Sequence, residues 1–478
     1  MESLFSEFGA AYKERDGYKL SKTLSPDISN DQLKAIFKSC NANDVRRFLK
    51  TGLERSCNDW ERLEAEEVKT WVEIYFNYWR VAGELLAIQG SSAANGKAYQ
   101  SSWGKIYDMW AELLQALTRG YNEYGLEAWT IPCLYVVSNH LRIFAIKADE
   151  ERSQNAALGN STELESFDDF DDPESQEHQT LRDCCHRVNR VFNICLADRA
   201  PLEESRKWGI YYIANLIFKI YFKLDSASLI KNIIKAISAG RGDMPELSRF
   251  PKSQQVTFNY FQGVLYFLEE DYVAVCRSTF LAHVQLLADE ETIQAETHLT
   301  EALNLCHKDA MRNKELILTY LIPCHLLTTH TLPSQKLLEP YPKLQKIFTP
   351  LSQCIKRGEL HAFDLALQDG EEEFVKRRIY LTLERGRDIA LRNLCRKVFL
   401  AGGFEEPKDG APLVRRSRIP VAEFAAAISL GSQEKIDNDE VECLLANMIY
   451  KNLMKGYISR AAGIVVLSKT GAFPGTGV

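Results

Sequence analysis

Between positions 376 and 418 the chain gathers twelve basic side chains: Lys376, Arg377, Arg378, Arg385, Arg387, Arg392, Arg396, Lys397, Lys408, Arg415, Arg416 and Arg418. Five acids stand against them, Glu384, Asp388, Glu405, Glu406 and Asp409, so the stretch carries an excess of seven in a chain whose formal charge is -7. Guanidinium and ammonium groups in that density suit phosphate, and each phosphate neutralised steepens the salt dependence of binding by about 0.9 in log–log slope. Arg415, Arg416 and Arg418 fall in a stretch flanked by Gly and Pro, read here as a loop from which long side chains can reach a nucleic-acid backbone. Lys451, Lys455, Arg460 and Lys469 extend the patch. The candidate phosphate contacts are therefore Arg392, Arg396, Lys397, Arg415, Arg416, Arg418, Lys451, Lys455, Arg460 and Lys469. Glu442, Asn447 and Lys451 offer little chemistry for base edges, so binding is expected to tolerate any sequence. The competing reading is that these side chains solvate the surface or pair with acids elsewhere in the chain.

Other constellations lead nowhere. The chain has no Gly-rich phosphate loop ending in Lys-Ser/Thr, no His-Glu-x-x-His and no Gly-x-Ser-x-Gly. Cys306-His307, Cys324-His325 and Cys184-Cys185-His186 are neighbours in sequence, and neighbours on a helix point about 100° apart. No Cys-x-x-Cys pair exists to build a zinc site, and the acids of 163–177 lack the spacing and turn glycine of a calcium loop. No catalytic residue, metal or cofactor is assigned, and an enzyme is not expected. An aromatic stripe at helical spacing, Trp71, Tyr75 and Trp79 followed by Tyr99, Trp103 and Trp110, could stack bases, but packing between helices accounts for it better.

The elements that must position the basic residues centre on a helix beginning after Ile436. Asp437 stands three residues before Glu440, the spacing of an N-cap, and Ile436 and Val441 are placed to staple the turn. Val441, Leu444, Leu445, Met448, Ile449 and Leu453 then recur on one face, and Gly456 is expected to close the helix as a left-handed cap. The apolar runs 457–459 and 464–467 around Ala461-Ala462-Gly463 read as a hairpin, with further helices over 421–430 and 388–400. Three helices and a hairpin make a winged-helix module. Its wing side chains Tyr457, Ile458, Ile464 and Val466 are the candidates for docking onto a partner's winged helix.

The rest of the chain reads as helical. A length of 478 residues, 45% apolar and 26% charged, is that of an ordinary globular protein with a sizeable core. Twelve scattered cysteines and no basic-then-apolar leader point to a reducing compartment. The apolar stretch 208–224 is interrupted by Asn215, Lys219 and Lys223, too short for a bilayer, and is expected to be a core helix. Paired helices with short breaks describe an α-solenoid of the tetratricopeptide type, capped by the winged helix. The expected division is an N-terminal helical region over 1–150, an acidic disordered loop over 151–177, helical repeats over 178–384 and the winged helix over 385–478, with Pro333, Pro340, Pro342 and Pro350 as a connector.

Three stretches carry a resemblance. The run Arg206-Lys207-Trp208-Gly209 continuing to Lys223, the triplet Arg392-Asn393-Leu394, and the block from Asp439 to Tyr450 followed by Lys455-Gly456-Tyr457-Ile458-Ser459 resemble the mRNA-export and signalosome-subunit-twelve-like branch of the PCI-domain family. The resemblance is close over residues 180–474 and looser before them. It implies a non-enzymatic scaffold that pairs its winged helix with that of a larger PCI subunit and binds a small acidic protein of the Sem/Dss type. It also implies a joint basic surface for RNA or DNA, serving mRNA export or transcription-coupled processing in the nucleus, with a cytoplasmic presence as well. A purely protein-assembling subunit of a signalosome-like or lid-like complex is the alternative.

Overall fold

The computed structural model describes residues 2–26, 31–38, 41, 43–57, 63–91, 102–157, 178–240, 243–277, 285–405 and 415–477. Of the expected acidic loop 151–177, residues 151–157 are instead helical, continuing the preceding helix, and 158–177 lie outside the described residues, as does Lys408 with Glu406 and Asp409. Helix makes up 76% of the structure and the sheet has three short antiparallel strands, which establishes the expected all-α class with a winged-helix tail. None of the described helices is long and apolar enough to cross a membrane. The chain forms two compact units, residues 1–258 and 259–478.

In the first unit, consecutive helices pack against one another around aromatic side chains. Helix α1 (Glu2–Glu14) and α2 (Gly17–Lys22) precede α3 (Asp31–Lys38) and α4 (Val45–Cys57). Two long helices follow, α5 (Ala65–Ser91) and α6 (Trp103–Glu123), the latter started by Ser102, whose side chain accepts from the Lys105 amide. Trp71 and Trp110 are fully buried, and the Trp110 indole donates to the Val137 carbonyl at 2.7 Å. For these rings the packing explanation holds, since a buried indole that finds an acceptor adds its large apolar area without a polar penalty.

Helix α7 (Ile131–Ala157) supplies buried Asp149, whose carboxylate accepts from the Thr180 and Leu181 amides at 3.1 and 3.0 Å and so opens α8 (Gln179–Leu196). Helix α9 (Ile210–Lys223) buries Ile210, Ile213, Ile217 and Ile220 completely, which makes it the core helix expected from 208–224. Helix α10 (Ile230–Ala239) and the start of α11 (Lys252–Arg277) complete the unit.

The second unit contains α12 (Gln285–Leu305) and α13 (Met311–Thr328), a tightly packed pair, then α14 (Gln335–Leu338) and α15 (Pro342–Arg357). Here the expected proline connector is corrected. Pro342 sits in the first turn, where its missing N–H costs nothing, and Pro350 is accommodated inside a 16-residue helix. Gly358 ends α15 at φ +67°, and a Cβ there would lie 2.8 Å from the Leu394 amide nitrogen, so both conformation and approach require glycine.

After α16 (Leu360–Asp369), α17 (Glu371–Lys376) and α18 (Tyr380–Glu384), the winged helix is built from α19 (Gly386–Ala401), β1 (Arg418–Pro420), α20 (Val421–Ser432), α21 (Asn438–Tyr450), β2 (Gly456–Ser459) and β3 (Ile464–Leu467). Asp437 caps α21, accepting from the Glu440 amide at 2.8 Å. Val441, Leu445 and Met448 form its buried face, with Leu453 beyond its end, while Leu444 and Ile449 are only half-buried.

Two local expectations change. The left-handed residue after α21 is Asn452 at φ 55°, not Gly456. Gly456 instead opens β2, where a Cβ would meet the Val466 carbonyl oxygen at 2.4 Å. Residues 415–418 are not a free loop, because Arg415 bridges to Phe404 and Arg418 enters β1, an edge strand pairing with β3.

Candidate nucleic-acid and partner interface

The strand order is β1-β3-β2, and its register sorts the wing side chains onto two faces. Ile419, Val465 and Ile458 share one row, and Val465 and Ile419 are fully buried beneath it. Because side chains alternate along a strand, the next row, Arg418, Val466 and Tyr457, turns outward, as does Ile464. Tyr457 is 61% exposed, and Ile464 and Val466 are half-buried. Of the four docking candidates, Tyr457, Ile464 and Val466 thus share the open face with Arg418, whereas Ile458 lies in the inward row.

The basic candidates separate by what their charges meet. Arg392 is buried, with its Nε lacking a hydrogen bond and one Nη donating to the Asn393 side chain at 3.4 Å. Burial, and then the neighbouring Arg396, hold its pKa below the usual arginine value. Its placement within the module, rather than on it, withdraws Arg392 from the surface set. Arg396 is half-buried and donates to the Thr476 carbonyl at 3.5 Å. The Lys397 ammonium donates to the Arg357 carbonyl at 2.7 Å, where it complements the end of α15.

Three further candidates face carboxylates. Arg416 meets Glu423 at 3.3 Å, Lys451 meets Asp388 at 2.6 Å, and Arg460 meets Asp439 and Glu442 at 3.2 and 3.5 Å. Pairs this exposed hold each other by only about 0–1 kcal/mol, so a phosphate can exchange for the carboxylate. The Arg415 guanidinium lies 4.8 Å over the exposed Phe404 ring. Arg418, Lys455 and Lys469 are exposed, with no side-chain partner among the described residues.

Sequence reasoning missed two residues of this surface, Tyr450 at 72% exposure and Phe404 at 53%. Tyr450 ends α21, so that Tyr450 and Tyr457 flank the turn that carries Lys451 and Lys455. Its signal lay in the sequence: it stands off the Val441, Leu445, Met448 face. The module therefore presents exposed aromatic rings and unpaired cations together, a combination suited to stacked bases and phosphates, beside an apolar strand face suited to protein. Among the described residues no group of His, Cys, Asp and Glu is arranged to hold a metal ion.

Comparison with known proteins matches residues 367–469 to the PCI domain model. The chain is 64% identical to Protein CSN12 homolog of Neurospora crassa across the full length of both. It is 33% identical to Protein CSN12 homolog of Schizosaccharomyces pombe over 98% of this chain and 96% of that one. Identity to PCI domain-containing protein 2 of Danio rerio is 29%, over 77% of this chain and 79% of the relative.

Proposed function

Because this chain belongs to the PCI-domain family, we propose that it is a non-enzymatic scaffold subunit of a nuclear complex that holds RNA or DNA on its carboxy-terminal module. Within that reading, a larger PCI subunit docks on the strand face of Tyr457, Ile464 and Val466, and a small acidic protein of the Sem/Dss type binds elsewhere. The complex works in mRNA export or transcription-coupled processing. The observation that carries it is the set Arg418, Lys455 and Lys469, exposed cations without carboxylate partners on a module that also exposes Tyr450 and Tyr457.

Binding on this reading is electrostatic and sequence-tolerant. Replacing Arg418, Lys455 and Lys469 by Gln in the assembled complex is expected to lower affinity for nucleic acid. It should also reduce the salt slope by about 0.7–0.9 for each phosphate no longer neutralised. Titrations at several salt concentrations check this, and an unchanged slope removes the module from the nucleic-acid surface.

The second reading, a purely protein-assembling subunit, is favoured by the carboxylates already facing Arg416, Lys451 and Arg460. Nucleic-acid affinity of the glutamine variants separates the two, whereas Val466→Asp tests the docking face that both share. A charge on the outward row is expected to weaken subunit pairing at least tenfold, an effect of about 1.4 kcal/mol. Under either reading, glutamine at Lys455 and Lys469, which lie outside that row, should leave pairing intact. Co-elution of purified subunits measures it.

A further inference from the structure

One flank of the first unit carries a set of stacked groups that runs from the buried core out to the surface. The Arg46 guanidinium lies 4.2 Å over the Phe76 ring, and Phe76 stacks on Trp79 with centroids 6.5 Å apart and planes 20° from parallel. Phe37 continues the stack on Trp79 at 5.2 Å and 27°. Trp79 is nearly enclosed, but Phe37 at the end of the column is 36% exposed. Gly83 allows this seating, because a Cβ there would fall 2.4 Å from the Phe37 ring.

Beside Phe37 opens a cavity of about 860 Å³, walled by Trp79, Leu86 and Met109 and rimmed by Lys34, Lys38 and Arg80. The carboxylate among the lining residues, Glu84, is engaged by Lys105 at 2.7 Å. Arg80 leans on Glu112 from the rim, and Lys38 is exposed with no partner among the described residues. An apolar, ring-ended recess with three cations at its edge is complementary to a flat, neutral ring attached to an anion.

We propose that this cavity receives an unpaired base of a single-stranded nucleic acid, stacked on Phe37, with the adjoining phosphates at Lys38 and Arg80. A nucleotide of any sequence brings a planar ring and a phosphate together, whereas a peptide would need an aromatic residue set among carboxylates. Adding a ring to an existing column is sequence-tolerant for the same reason. The site rests on the proposed nucleic-acid function for its ligand class alone and shares none of the carboxy-terminal residues.

The test uses the full chain and a short oligouridylate containing 4-thiouridine, crosslinked by light, with the adducts mapped by peptide. Adducts on the peptides holding Phe37 or Trp79 are expected, and Phe37→Ala should weaken binding about tenfold as the stacking disappears. Lys38→Gln, at an exposed position that leaves the fold untouched, should lower the salt slope by about 0.7. The Arg418, Lys455 and Lys469 variant should leave the Phe37 adduct in place, so the two sites fail separately. Adducts confined to 415–469, with both first-unit variants binding as wild type, would overturn the proposal. So would capture of an Asp-rich, Phe-containing peptide that Phe37→Ala abolishes while no adduct forms, which would assign the cavity to a protein partner.

Discussion

Leu445→Ala is expected to lower the stability of the winged helix by about 2–5 kcal/mol, and Leu445→Asp to prevent the module from folding at all. Leu445 is fully buried at the centre of the inward face of α21, between Val441 and Met448. Truncation leaves a cavity where the helix meets the sheet and α20, and packing that tight relaxes only partly. Aspartate puts a carboxylate into a site shaped for an apolar side chain, where taking the charge out of water is costly. Leu444→Ala, one residue away and half-buried, should cost well under half as much. Hydrogen exchange along 438–467 reads the effect locally, and equal losses for the two leucines would show that α21 does not face the sheet as described. Since Arg418 lies in β1, Lys455 directly precedes β2 and Lys469 follows β3, Leu445→Asp should remove nucleic-acid binding that depends on the module.

Why is so much of this module legible in the sequence? Its helix is announced by a cap and a periodic face, both local properties of the chain: Asp437 and the Val441, Leu445, Met448 spacing carry their meaning without tertiary context. The hairpin is legible because Gly463 supplies the positive φ between two short apolar runs. Strand β1 is not, since three residues ending in proline have no period, and only the edge of β3 makes them a strand. The same limit hides the fate of the charges. Density of arginine is visible in sequence, but whether a side chain ends buried, as Arg392 does, or in water, as Arg418 does, depends on which face neighbouring elements cover. For the aromatic stripe the general argument for packing is right at Trp71 and Trp110, and it does not single out the end of a stack at Phe37.

In the first unit, the largest loss expected from a single polar change is at Asp198, whose carboxylate is almost wholly buried in the turn between α8 and α9. It accepts from the Ser205 hydroxyl at 2.9 Å, the Arg206 amide at 2.7 Å and the Arg206 guanidinium at 3.0 Å. Arg206 also donates to the Tyr121 carbonyl at 3.1 Å, which ties this turn to the end of α6. Removing the acid strands a largely buried guanidinium, so Asp198→Ala should cost about 3–5 kcal/mol. Asp198→Ala combined with Arg206→Met should recover part of that, because the orphaned charge goes with it.

Burial pushes the Asp198 carboxyl up, but the hydrogen bonds from Arg206 and Ser205 outweigh it and hold the group below the usual carboxylate range. A carboxyl whose pKa is depressed on folding contributes stability that is complete above its unfolded value of about 3.9 and is lost as the pH falls through the folded one. Wild type should therefore shed this contribution only in acid, while Asp198→Asn should show a shallower dependence below about pH 4. All seven tryptophans lie at or before Trp208, so tryptophan emission during urea unfolding reports on the unit that holds this turn. A double variant no more stable than Asp198→Ala would mean that the carboxylate acts by closing the turn through the Ser205 hydroxyl and the Arg206 amide, and that the guanidinium contributes nothing.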